Sequence, residues 1–162
     1  MKKLLNFLLL LSLFGCNNIM KNKQTLDNFN CPRIFFSSED RVFVDTAGNG
    51  SSFDDVSLKA ELNNFAIVEK CYQKDDIVII PLDILIITQP MDKFEDSTIS
   101  IPIYAILLDQ KNEVLETQYF MILGSIQKNF ENNIFIETDI TDRLKIITEN
   151  LDTAQIVIGF MI

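Results

Sequence analysis

Few side chains in this 162-residue chain have the capacity for chemistry. There are three cysteines (Cys16, Cys31, Cys71), no histidine, and adjacent acids such as Glu39-Asp40, Asp54-Asp55 and Asp75-Asp76. Without histidine there is no Ser-His-Asp or Cys-His arrangement and no imidazole metal site. A serine or threonine nucleophile then lacks its usual activating base. Hard cations need several carboxylate oxygens converging on one point. None of these acid pairs has the spacing of a calcium loop, so they read as solvated turn residues, and no metal, cofactor or catalytic residue is expected. Asp83 stands apart because it interrupts the most apolar run of the chain. An unpaired buried charge is costly, so Asp83 is either a perturbed carboxylate at a site or, as is commoner, at an edge or beside an Arg or Lys. Gly48-x-Gly50 is followed by neither a lysine nor a clear helix, which makes it a turn and not a phosphate loop. Tyr72, Tyr104 and Tyr119 are candidates for a binding face, or for packing across strands.

Charge narrows the partners. The chain carries 14 basic and 23 acidic residues, a formal charge of −9, with no basic stripe. Nucleic-acid binding needs clustered Lys and Arg against phosphate, so it is not expected. Abundant Ile, Leu, Val and Phe argue against disorder. The mean hydropathy of +0.17 raises the question of a membrane segment, and the apolar residues must be located to answer it.

Lys2 and Lys3 precede an apolar stretch, Leu4 to Phe14, broken only by Asn6 and Ser12. Spanning a bilayer takes roughly 20 helical residues, so this stretch fits the apolar core of a secretory signal instead. It ends Leu13-Phe14-Gly15-Cys16, which resembles the bacterial lipobox. That resemblance implies acylation of the Cys16 thiol and cleavage before it, with residues 1–15 as signal peptide. Their removal takes away two lysines and no acids, leaving 12 basic and 23 acidic residues, a charge of −11. Residues 16–30 are polar and Asn-rich, as a solvated tether would be. The Asn after Cys16 favours the outer over the inner membrane, by analogy with enteric bacteria.

Cys31 and Cys71 remain. An exported chain enters an oxidising compartment, where two leftover cysteines most simply pair. Closing that loop of about 40 residues would contribute about 4 kcal/mol in the chain-entropy model. A redox pair would normally be Cys-x-x-Cys, which is absent, and two cysteines without histidine make a poor metal site.

Residues 31–162 are expected to form one domain, and from residue 33 onward the dominant period is two, the signature of strands. Expected strands are 33–36, 41–45, 56–62, 65–72, 77–88, 99–109, 114–123, 134–140 and 153–162. Asn63-Asn64 is read as a turn or bulge, and Gln110-Lys111-Asn112-Glu113 as a hairpin turn. The run 77–88 is apolar on both faces, which places it centrally, although Pro81 argues against a fully paired ladder there. Leu144, Ile147 and Leu151 have helical spacing, so 142–151 is either a short helix or a strand end plus loop. Seven to nine strands with short turns point to an all-β antiparallel sandwich, immunoglobulin- or fibronectin-like, with a small barrel as the alternative.

In order along the chain, several short motifs are similar to those of a family of uncharacterised alphaproteobacterial lipoproteins. They are Cys31-Pro32, the strand at 55–61, Cys71-Tyr72 with the apolar strand after it, the hairpin 101–120, and Val157-Ile158-Gly159-Phe160. The resemblance implies a cell-envelope location and a β-rich domain, and no chemistry. The expected function is that of a membrane-anchored periplasmic lipoprotein, a non-catalytic protein-binding or envelope-assembly module. Its partners would be the membrane, through lipid on Cys16, and an envelope protein. A small-ligand carrier and a carboxylate-based envelope enzyme are the alternatives.

Overall fold

The computed structural model describes residues 30–47, 52–129 and 131–162. Cys16, the signal sequence and all but the last residue of the tether lie outside the described residues. Among the described residues nine strands form two sheets. Sheet A has the order β1 (Arg33–Phe36), β9 (Gln155–Phe160), β6 (Thr98–Leu108), β7 (Val114–Ser125). Sheet B runs β2 (Val42–Thr46), β3 (Val56–Ala66), β5 (Ile77–Pro90), with β8 (Thr138–Thr148) on the far side of β5. The short β4 (Tyr72–Lys74) pairs with the beginning of β5. All pairs are antiparallel except β1 with β9. The sandwich expected from the period-two pattern is therefore present, and no barrel closes. Among the described residues no helix is long and apolar enough to cross a membrane.

Alternation decides what each sheet buries. Ile101, Ile103, Ala105 and Leu107 of β6 and Ile156, Ile158 and Phe160 of β9 face Leu58, Ala60 and Leu62 of β3, Val78 to Ile86 of β5, and Leu144 and Ile146 of β8. The strand β5 is central, as its apolar run requires. Pro81 pairs with Lys145 of β8 on one side, and on the other falls in the gap between the β4 and β3 ladders. A residue without an N–H fits where the ladder is interrupted.

The bulge at Asn63-Asn64 has a phase function. Leu62 and Phe65 are three apart, so a regular strand would turn them to opposite faces. The register shift between Leu62 and Asn64 restores Phe65 to the core side, where its ring meets Phe36 edge-on at 5.5 Å. It also carries β3 on to Ala66, which corrects the expected separate strand at 65–72: residues 67–71 are outside any strand, and pairing resumes at Tyr72. The helical reading of 142–151 is likewise overturned. Here β8 continues to Thr148, with Leu144 and Ile146 inward and Ile147 outward. The period of two won because β5 offers a full-length ladder. The strand expected from Ile134 begins only at Thr138, and Ile134 and Ile136 are exposed.

Candidate binding face

The expected disulfide is formed. Cys31 and Cys71 are bonded with Cα atoms 5.2 Å apart, tying the entry to β1 in sheet A to the entry to β4 in sheet B. The opposite seam is polar. The Glu116 carboxylate on β7 accepts hydrogen bonds from Thr148 Oγ1 (2.7 Å), Gln118 Nε2 (2.7 Å) and Asn150 Nδ2 (3.1 Å). Partial burial alone would raise its pKa, but these three donors outweigh burial and hold it below the ordinary glutamate value.

Asp83 resolves as a structural residue. It sits opposite Arg143 in the β5–β8 ladder, and the guanidinium forks onto it with Nε at 2.7 Å and Nη2 at 3.3 Å. That hydrogen bonding lowers the Asp83 pKa despite the opposing cost of burial. The acid pairs lie on separate turns: Asp55 bonds Lys93 and caps the 3-10 turn Phe53–Asp55, Asp75 occupies a left-handed turn position, and Asp40 accepts from Tyr104. Among the described residues no group of three or more His, Cys, Asp or Glu is placed to hold a metal ion. Ser125 and Lys128 have Ser-x-x-Lys spacing. That spacing brings a lysine onto a serine only in a helix; here Ser125 ends a strand, and the Lys128 ammonium lies 4.1 Å from the Phe135 ring centre.

The tyrosines are where the structure gathers what the sequence left scattered. Tyr104 on β6 and Tyr119 on β7 are directly opposite in register, on the outer face of sheet A. Alternation puts Pro102, Ile106 and Leu108 of β6, Met121 and Leu123 of β7, Val157 of β9 and Phe35 of β1 on the same face. Four of these are well exposed: Phe35 at 44%, Tyr119 at 66%, Met121 at 56% and Leu123 at 71%. Among the described strand residues in register on this face, the charged one is Arg33, at its margin. Tyr72 is apart, half-buried on sheet B.

Tyr104 is held in place by a specific device. Its hydroxyl donates to the Asp40 carboxylate, which also accepts from Ser37 Oγ at 3.4 Å. Burial, and then the bond to Asp40, raise the Tyr104 pKa. The ring crosses β9 over Gly159, where an added Cβ would lie 2.5 Å from the hydroxyl oxygen and 2.9 Å from Asp40 Cβ. Glycine is required there by close approach.

A second cleft, of about 420 Å³, lies at one end of the sandwich between the β5–β6 and β7–β8 connections. Phe94 and Phe135 meet edge-on in it at 4.9 Å, with Asp92, Glu95 and Lys128 around them.

The alternation at 99–109 marks an outward set as clearly as an inward one. The uncharged outward set, Pro102, Tyr104, Ile106 and Leu108, was equally visible in the sequence and is the signal that would have found this face. Comparison of the chain with protein-family models, curated proteins and solved structures found no match.

Proposed function

We propose that this protein is a lipid-anchored, non-catalytic module of the bacterial cell envelope that binds an envelope protein through the outer face of sheet A. The observation that carries the reading is the apolar and aromatic face built from Phe35, Tyr104, Tyr119, Met121 and Leu123 in a chain this acidic. Protein interfaces concentrate aromatic residues and Met at their centres and exclude charge from them. Contiguous exposed apolar patches on soluble domains mark contact sites. The Cys31–Cys71 bridge supports an oxidising compartment. The Leu13–Cys16 motif supports acylation at Cys16, release of residues 1–15 and, with the Asn after it, outer-membrane placement. The resemblance to uncharacterised alphaproteobacterial lipoproteins points the same way.

The test is photo-crosslinking in cells, with the crosslinker placed at Tyr119 or Leu123 on one face and at Lys59 or Lys145 on the other. The reading expects one discrete adduct from the first pair, abolished by Leu123→Glu in a Tyr119-labelled protein, and none from the second. Equal adducts from both faces, or none, would refute it. Separately, Cys16→Ser should move the protein from the membrane to the soluble fraction.

A further inference from the structure

The strand β2 is an edge of sheet B, and its sequence is complementary to itself. Its ladder partner is β3, in the register Val42–Glu61, Phe43–Ala60, Val44–Lys59. The N–H of Leu62 donates to the carbonyl of Arg41, so Arg41, and by alternation Phe43 and Asp45, direct their backbone polar groups at β3. Those of Val42 and Val44 therefore point to the open edge. Natural edges are usually blunted by Lys, Pro, short strands or β-bulges, and β2 has one bulge, after Asp45, which leaves Val42 to Asp45 regular. Here Val42 and Val44 are exposed instead, with neither Lys nor Pro in the strand.

We infer that β2 pairs antiparallel with β2 of a second copy of this chain, about a two-fold axis at Phe43, joining the two B sheets into one. In that register Val42 faces Val44 of the other copy in both directions. Among the described residues nothing bonds their N–H and C=O groups, so the dyad closes four backbone hydrogen bonds. Arg41 then faces Asp45 of the other copy, twice, on one side of the joined sheet. Neither residue is saturated. The half-exposed Arg41 donates its Nε to the Leu62 carbonyl, with Glu61 Oε1 3.6 Å from the same nitrogen and Phe36 beneath the guanidinium, which leaves the two terminal nitrogens as further donors. Asp45 has no ion pair among the described residues, and its carboxylate accepts only from the Thr46 N–H and Ser57 Oγ. That Thr46 contact, together with the β-bulge between Asp45 and Thr46, ends the pairing segment at Asp45. Opposite charges directly across an antiparallel pair stabilise it and like charges oppose it. An isologous contact needs this self-complementarity and closes at two copies. The pairing uses the edge of sheet B, so it is independent of the lipid anchor and of the face of sheet A.

The experiment uses the full-length chain extracted in mild detergent, with mass measured by light scattering across a concentration series. The wild type is expected to be dimeric. Asp45→Arg places Arg against Arg41 in both contacts and should weaken dimerisation by about tenfold or more. Arg41→Asp should do the same. An equimolar mixture of the two variants regains both opposite-charge pairs and should recover the dimer as a heterodimer. Circular dichroism and thermal melting check that each variant is folded; should Arg41→Asp fail to fold, Val44→Pro, which removes two of the four backbone bonds, takes its place as the second disrupting variant. A wild type that stays monomeric, a dimer indifferent to Asp45→Arg and Val44→Pro, or a β2 edge occupied by a different protein would each overturn the inference.

Discussion

The two outer faces of the sandwich are built by the same alternation and carry opposite chemistry. On sheet B the outward positions include Lys59, Glu61, Asp83, Arg143 and Lys145, and the ladder pairs Asp83 with Arg143 across β5 and β8. Apolar outward residues are present there as well, with Ile79 between Tyr72 and Ile147, but the Asp83–Arg143 pair divides them from Ile87. On sheet A the outward positions include Tyr104, Tyr119, Pro102, Met121, Ile106, Leu123 and Val157, alongside uncharged polar residues such as Ser100 and Thr117, with charge only at the margin. A solvated sheet face needs only to be wet. An exposed face whose centre carries no charge is costly to leave uncovered, and the contrast within one molecule singles it out. The protein invests further in that face, because the Gly159 notch and the Asp40 contact fix Tyr104 upon it.

Several substitutions sharpen or break this contrast. The largest effect is expected where the two sheets are stapled: Cys71→Ser should cost about 4 kcal/mol in denaturant unfolding, the chain-entropy value for a loop of this size. A loss below 1 kcal/mol would show that the faces hold their relation without the bridge. Next is Gly159→Val, which forces Tyr104 off β9 and should cost about 1–3 kcal/mol through overpacking. Sheet B has no comparable notch for its outward side chains among the described glycines. Smaller again is Glu116→Ala, expected to cost about 1–2 kcal/mol in thermal melts, because three hydrogen bonds to a partly exposed carboxylate are lost.

That carboxylate also sets an acid limit. Its folded pKa is lowered, so its contribution is fully present above the ordinary glutamate value of 4.5 and is lost as pH falls through the lower folded value. Asp83, lowered by Arg143 from 3.8, behaves in the same sense further down. Unfolding free energy should be flat from neutrality to about pH 5, then fall, with a shallower fall in Glu116→Ala. The smallest stability effect belongs to the apolar face itself. Leu123→Glu should change stability by no more than about 0.5 kcal/mol, since the side chain is mostly exposed, while abolishing the crosslink from Tyr119. A large destabilisation would mean that Leu123 is part of the fold and not of a contact surface.

Much of the fold could be read residue by residue. Ile99 to Leu107 and Val78 to Ile86 announced their inward faces because strand alternation is local and burial follows it. The hairpin at 110–113 was legible for the same reason, although its geometry is set by Asp109, whose carboxylate accepts from the N–H groups of Lys111 and Glu113 at 2.7 and 2.8 Å. Where alternation slipped, the reading slipped with it. One extra residue at Asn63-Asn64 reversed the phase of Phe65, and the apolar spacing of Leu144, Ile147 and Leu151 fitted a helix until the long ladder of β5 claimed it.

By itself, then, the sequence determined the all-β class, the central place of the 77–88 run and the exclusion of histidine chemistry, since each depends on composition or on neighbours along the chain; the bond between Cys31 and Cys71, 40 residues apart, was an expectation that the structure bears out. Which strands share a sheet, that Tyr104 meets Tyr119, that Asp40 reaches Tyr104 across Gly159, and that one outer face carries charge only at its margin while the other is ion-paired were decided only by the tertiary structure. Register between strands distant in sequence is a global property: it is fixed by the packing of two sheets around one core, and no local window of residues contains it.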